Sequence, residues 1–259
     1  MSSSPRPEPS PTKPAPPPVS ADIGVVAALG IEVAPLLARL TNVRKYNGAK
    51  FSVVEGEHSG KVIAVVLAGA GRARAQRGAE VLLDGHRPRW LVSAGFAGGL
   101  DPRLKRNDLV LPSEVINLEG RRYAIDLAVP PSSEAQGLRT GRLLTVDEIV
   151  RSAREKAELR QKHAADLVDM ETSSVAALCA DRGVRFLSVR VISDEAGTDL
   201  PPEVLAILGR SGGLRLGAAF GAVWKRPGSI KDLLALRTHA TEAADKLSRF
   251  LLGSMTQLN

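Results

Sequence analysis

Two carboxylates carry the most readable chemistry in this chain of 259 residues. Glu171 stands in Val168-Asp169-Met170-Glu171, and Asp194 closes the apolar run Ser188-Val189-Arg190-Val191-Ile192-Ser193-Asp194. The pattern between them predicts one helix and one strand. This layout sets one acid at a helix entrance and the other at the carboxyl end of a buried strand, where open α/β sheets bind ligands. The pair therefore reads as a small-molecule enzyme site.

A third acid, Glu32, follows the first apolar run in Ala27-Ala28-Leu29-Gly30-Ile31-Glu32. Alone it is a first-turn helix acid, favoured there by the helix dipole. Glu171 alone is likewise a helix-start acid, and Arg190 with Asp194 reads as an ion pair at a strand end. Two small-residue segments also follow apolar runs, Ala68-Gly69-Ala70-Gly71-Arg72 and Ala94-Gly95-Phe96-Ala97-Gly98-Gly99. Each reads first as a tight turn, and second as backbone able to approach a ligand closely. Neither completes a dinucleotide-binding G-x-G-x-x-G, since Arg74 occupies the third glycine place.

Other chemistries fit less well. Gly209-Arg210-Ser211-Gly212-Gly213 matches G-x-S-x-G, but Asp232 and His239, its downstream partners in plausible order, fall too close together on one predicted helix. The histidines at 58, 86, 163 and 239 have no metal-ligand spacing, and the single cysteine, Cys179, reads as a small buried hydrophobe. No cofactor or metal is implied. The net charge of +7 raises nucleic-acid binding, yet the basic residues are scattered and aromatics make up only 3%, too few for base stacking. No apolar run approaches the roughly 20 residues of a membrane span. One cysteine and the absence of a signal-like apolar stretch place the protein in the cytoplasm.

The elements that must position these acids follow from periodicity. Strands are predicted at Ile23–Ala28, Val62–Leu67, Trp90–Ala94, Asp108–Leu111 and Arg185–Ile192, several of them apolar on both faces. Helices are predicted at Ile31–Leu40, Ala73–Leu83, Val146–Lys162, Thr172–Arg182 and about Lys231–Leu252. In the last, Leu233, Leu236, Ala240, Ala243 and Leu247 form one apolar stripe. Loops are assigned to Glu119–Arg142, Thr198–Pro202 and Gly209–Gly217. Residues 1–21 are dominated by Ser and Pro and read as a disordered tail. The order is that of an α/β fold, with one domain over residues 22–259.

Taken together, the motifs resemble the purine nucleoside phosphorylase and nucleosidase superfamily, and within it the methylthioadenosine/S-adenosylhomocysteine nucleosidase branch. The resemblance runs from Ile23 to about Glu203. It rests on Ile-Gly-Val-Val-Ala-Ala-Leu-x-x-Glu-Val at the start, Ala-Gly-Gly-Leu at 97–100, Val-Asp-Met-Glu-Thr at 168–172 and Val-Arg-Val-Ile-Ser-Asp at 189–194. It implies a three-layer α/β fold with a twisted mixed, mostly parallel sheet flanked by helices. It further implies release of the base from an adenosine-like nucleoside, in a homo-oligomer that needs no cofactor.

Carried over by position, Glu32 resembles the acid that orients the attacking water, while Met170 and Glu171 resemble the ribose-binding pair. Arg190 and Ser193 resemble supporting polar contacts, and Asp194 the group that protonates or hydrogen-bonds N7 of the leaving purine. Gly95, Phe96, Ile149 and Val150 complete the implied substrate-binding set. Cleaving an N-ribosidic bond leaves positive charge on the sugar and negative charge on the base, so such a site needs acceptors at one end and a proton at the other. Asp194, at the end of an apolar strand, would be desolvated and so retain its proton more readily.

Three departures bear on mechanism. Phosphorylases of the family carry a phosphate-binding Arg where this chain has Ser93, which favours water over phosphate as nucleophile. Phe96 stands where nucleosidases usually have Ser, and Ile149 where a base-stacking Phe is usual. Pro201-Pro202, Arg226-Pro227-Gly228 and the closing helix resemble the hopanoid-associated phosphorylase-like proteins, implying a large apolar 5′ group. Phosphorolysis, with Arg72 replacing the missing cation, binding of a nucleoside without turnover, and nucleic-acid binding are the other readings.

Overall fold

The computed structural model describes residues 20–48, 51–125, 138–200, 229–255 and 258. Residues 1–19 of the predicted tail, residues 126–137 of the predicted loop and residues 201–228, with the G-x-S-x-G, Pro-Pro and Arg-Pro-Gly motifs, lie outside the described residues.

The chain opens with strand β1 (Ile23–Ala27), helix α1 (Gly30–Leu37) and a meander of β2 (Thr41–Asn47), β3 (Ser52–His58) and β4 (Lys61–Leu67). Helix α2 (Arg72–Gly85), β5 (Trp90–Gly99), β6 (Leu109–Ile116), β7 (Arg122–Ala124) and β8 (Leu138–Thr145) follow. Then come α3 (Ala153–His163), β9 (Leu167–Asp169), α4 (Thr172–Arg182), β10 (Arg185–Asp194) and α5 (Ser229–Met255).

One mixed sheet holds all the described strands. β1 lies between β4 and β5, parallel to both, and β5 pairs in parallel with β10. β10 also pairs antiparallel with β6, which joins β8 and then β9, and β9 returns to β5. The sheet thus closes on itself through β5, β10, β6, β8 and β9, while β4, β3 and β2 extend it as an open wing.

Strand period 2 explains the layers. Ile23, Val25 and Ala27 of β1, with Ile63 and Val65 of β4, face one core together with Val33 and Leu36 of α1 and Ala243 and Leu247 of α5. The alternate residues Val26, Ala64 and Val66 face a second core with Ala75, Ala79 and Leu82 of α2 and Val175 and Leu178 of α4. Apolar residues on both faces are what a helix-covered parallel strand requires. The predicted stripe of the last helix is found at Ala243, Leu247 and Leu251; the side chains of Leu233 and Leu236 lie outside the described residues.

Some local expectations change. Helix α3 begins at Ala153 rather than Val146, because Ser152 accepts from the Glu155 N–H at 3.2 Å and Glu155 reaches back to the Ser152 N–H. This capping box outweighs the helical spacing of the preceding residues. The assigned loop at 119–142 contains β7 and the start of β8. Residues 94–99 are not a turn but the second half of β5, held by β10. β2 and β3 went unread: β2 is exposed along nearly its whole length and has no alternating apolar face to signal it. Cys179 is buried, and burial pushes its thiol up to about 12, as suits an inert packing residue.

Candidate active site

Glu32 is the third residue of α1, where a side chain can turn back on the unpaired amides of its own helix start. One oxygen, Oε2, accepts from the N–H groups of Leu29 at 2.7 Å and Ala28 at 3.1 Å. The other, Oε1, crosses to β5 and accepts the Phe96 N–H at 2.9 Å. Gly95 makes that crossing possible, since a Cβ there would lie 2.6 Å from Oε1. The helix-start reading of Glu32 therefore holds for one oxygen, and the site reading takes the other. Burial pushes the carboxyl of Glu32 above its ordinary range, against the three N–H donors and the nearby Arg190, which favour its charge.

Glu171 is the N-cap residue of α4, but its side chain makes no capping bond to the helix. Its Oε1 accepts the Gly71 N–H at 2.8 Å, across from the 68–72 turn. Gly71 sits at φ +102°, a conformation open to glycine and to few other residues, so the glycine turn aims an amide at this acid. Glu171 is pushed up to about 8 by burial, and the neighbouring Asp169 charge adds to that; Arg190 and the Gly71 amide oppose it. Its other oxygen, Oε2, accepts the Met170 N–H at 3.2 Å.

Arg190, 2% exposed, joins these groups from β10. It does not pair with Asp194, as the sequence suggested. Its Nε and Nη2 lie 3.1 and 2.7 Å from Oδ2 of Asp169, and Nη2 also donates to Ser93 Oγ at 2.7 Å. Thr172 adds its hydroxyl to the same knot, bonding Asp169 Oδ2. A buried guanidinium needs such a carboxylate, and Asp169 supplies it from the end of β9.

Asp194 is reached through a β-bulge. Ile192 faces Ala97 on β5 while Asp194 faces Gly98, which leaves Ser193 as the extra residue. A bulge re-aims the side chain that follows it. A Cβ on Gly98 would lie 3.3 Å from Asp194 Oδ2, so the glycine leaves the carboxylate room. The Ser193 hydroxyl reaches Asp194 Oδ1 at 2.6 Å and the Ala97 carbonyl at 3.2 Å, and its one proton serves one of them at a time. Asp194 is not left bare by desolvation: Lys156 Nζ lies 2.5 Å from its Oδ2.

Val26, Glu32, Ser93, Glu171 and Arg190 are among the groups lining a cavity of about 10 Å³. That is about the space of one water molecule, with polar partners on several sides. Met170 and Val150 pack against one apolar cluster that includes Leu100 and Leu144, and Ile149 is half-buried beside Val150. Arg72, at the start of α2, is already paired: Nε and Nη2 bond Asp147 at 2.8 and 3.0 Å, and Nη1 approaches Glu119 at 3.3 Å. Among the described residues no group of three His, Cys, Asp or Glu is set to hold a metal.

The family model described as "Phosphorylase superfamily" matches residues 22–209. The chain belongs to the phosphorylase superfamily. Among curated proteins, this superfamily member is 27% identical over 203 residues to the 5′-methylthioadenosine/S-adenosylhomocysteine nucleosidase of Tolumonas auensis, covering 69% of this chain and 88% of that one. Among solved structures, the nucleosidase of the same name from Neisseria meningitidis, in complex with methylthio-immucillin-A, superposes with a TM-score of 0.68 at 22% identity, covering 89% of this chain and 98% of that one. The futalosine hydrolase of Helicobacter pylori superposes with a TM-score of 0.66 at 19% identity, covering 93% and 97%. The phosphorylase-superfamily fold, mixed sheet between helices, is thus the one expected from the motifs.

Sequence reasoning brought out Glu32, Glu171 and Arg190, which line one small cavity, and Gly95 and Phe96, which adjoin Glu32. It missed Asp169 and Thr172 as partners of Arg190, and Gly71 as the amide donor to Glu171. It also missed Lys156, though the signal was there: Lys156 stands three residues before Leu159, on the side of α3 that packs inward.

Proposed function

We propose that the protein hydrolyses the N-glycosidic bond of an adenosine-like nucleoside, of the 5′-methylthioadenosine/S-adenosylhomocysteine type, and releases adenine. The observation that carries this reading is the water-sized cavity bounded by Glu32, Glu171 and Arg190. A water there meets a buried carboxylate whose raised proton affinity makes it a better base than a surface acid. Glu171, beside Met170, would accept hydrogen bonds from ribose hydroxyls. Asp194 would meet the departing purine at N7. Register supports this spacing: Gly95 abuts Glu32 and Arg190, and Gly98 abuts Asp194, three residues or about 10 Å further along β5.

Water is favoured over phosphate as the nucleophile. Ser93 accepts from Arg190 rather than supplying a cation, and both Asp147 and Glu119 already engage Arg72. No described helix is long and apolar enough to cross a membrane. We place the enzyme in the cytoplasm as a homo-oligomer, with residues 22–259 as one catalytic unit, on the strength of its single cysteine and of the family resemblance.

The test incubates purified protein with methylthioadenosine, S-adenosylhomocysteine, adenosine, inosine and futalosine, with and without phosphate, and measures free base by chromatography. Phosphate-independent adenine release is expected. Base release that depends on phosphate would replace hydrolysis with phosphorolysis. Hypoxanthine from futalosine, without adenine from the others, would move the substrate class to the futalosine type. Asp194→Asn should lower kcat about 100-fold or more while substrate binding changes little.

A further inference from the structure

Lys156 is among the largest side chains fully enclosed in this protein, on a helix that is otherwise rich in exposed charge. Its ammonium is bonded to the Glu195 carbonyl at 2.8 Å, the Thr198 carbonyl at 2.9 Å and Asp194 Oδ2 at 2.5 Å. A lysine ammonium has three hydrogens, and three acceptors are present. Taking an ammonium out of water is unfavourable unless it is paired, and here the Asp194 carboxylate pairs it. The other charges nearby are engaged elsewhere. The Glu195 carboxylate turns to Lys105, Asp199 accepts the Ala153 N–H, and Glu155 accepts the N–H groups of Arg151 and Ser152. Arg160 of the same helix binds Asp101 and Asp166.

Resting on the nucleosidase reading above, we propose that Lys156 is a positioning residue that acts through Asp194, holding its carboxylate under the leaving base and supplying it with the proton the base takes. As the C1′–N9 bond breaks, its electron pair passes to the purine, and a proton of the Lys156 ammonium passes through the Asp194 carboxylate to N7. The attacking water forms the new C1′–O bond and yields its proton to Glu32. Solvent then returns one proton to Lys156 and removes one from Glu32, so the sum is nucleoside plus water giving base plus sugar.

The discriminating experiment varies the leaving group. Wild type, Lys156→Met and Lys156→Gln are compared on 5′-methylthioadenosine and on the p-nitrophenyl β-riboside of the same 5′-methylthio sugar, whose nitrophenolate departs without a proton. The variants should slow adenine release by about 100-fold, the scale of a lost general acid, and nitrophenolate release by no more than about 5-fold. Lys156→Arg should recover part of the adenine rate, and Lys156→Met added to Asp194→Asn should cost nothing further. Equal slowing of both substrates would overturn the inference, since a merely structural lysine has no means of telling them apart. Wild type inactive on both substrates would instead remove the nucleosidase reading. If the variants do not fold, the wild-type protein labelled with ¹⁵N at lysine Nζ decides: the Lys156 ammonium resonance should move on binding a 9-deazaadenine nucleoside, whose N7 carries hydrogen, and an unmoved resonance overturns the proposal.

Discussion

Asp169 and Arg190 form a buried ion pair, 2.7 Å between Oδ2 and Nη2, with both side chains at most 2% exposed. It ties the end of β9 to the middle of β10 and holds the guanidinium beside the Glu32 carboxylate. Arg190→Met should strand Asp169 without its partner and destabilise the fold by about 3–5 kcal/mol in a denaturant titration. Arg190→Lys keeps the charge but loses the forked geometry, and should fall between the two.

Glu32→Gln should remove the base. One amide oxygen can still accept an N–H, but the amide nitrogen then confronts the remaining backbone donors of Ala28, Leu29 or Phe96. The expected outcome is a fall in kcat of about 100-fold or more with a change in KM of a few-fold, measured by steady-state base release.

Gly95→Ala places a methyl group 2.6 Å from Glu32 Oε1, where the carboxylate and the Arg190 guanidinium leave it no space. Activity should drop steeply. Gly85→Ala meets nothing within 4 Å and is the control; it should retain full activity and gain up to about 1 kcal/mol in thermal unfolding.

Stability should fall as pH rises from about 4.5 to about 8. Glu171 is pushed up to about 8, chiefly by burial, from 4.5 in the unfolded chain. Between those values the folded state binds the extra proton, so its contribution is complete below about pH 4.5 and is lost as pH passes through about 8. Glu171→Gln, which needs no proton, should flatten this loss. Unfolding by urea at pH 6 and pH 9 checks it: wild type should lose more stability than Glu171→Gln between the two.

The legible part of the site was the part encoded within single elements. Glu32 beside the first helix start and Asp194 at the carboxyl end of an apolar strand each carry a local reason for their residue type. β2 and β3 were not legible, because an exposed wing strand such as β2 has no apolar face to alternate. The start of α3 was misread because helical spacing continues through residues 146–152, and only the Ser152 and Glu155 capping bonds stop it. The turn at 94–99 was misread because small residues look like a turn until a neighbouring strand pairs with them.

By itself, the sequence determined the α/β class, the residues on the covered faces of the strands and the acids at their ends, because these depend on period, helix starts and strand ends, all short-range properties. The tertiary structure decided the partners. Asp169 rather than Asp194 takes Arg190, the Gly71 amide takes Glu171, and Lys156 takes Asp194, across separations of 21, 100 and 38 residues. In a buried, low-dielectric interior every charge must find a complementary group, and which one lies within 3 Å is set by how the sheet closes through β5, β10, β6, β8 and β9, not by the order of residues along the chain.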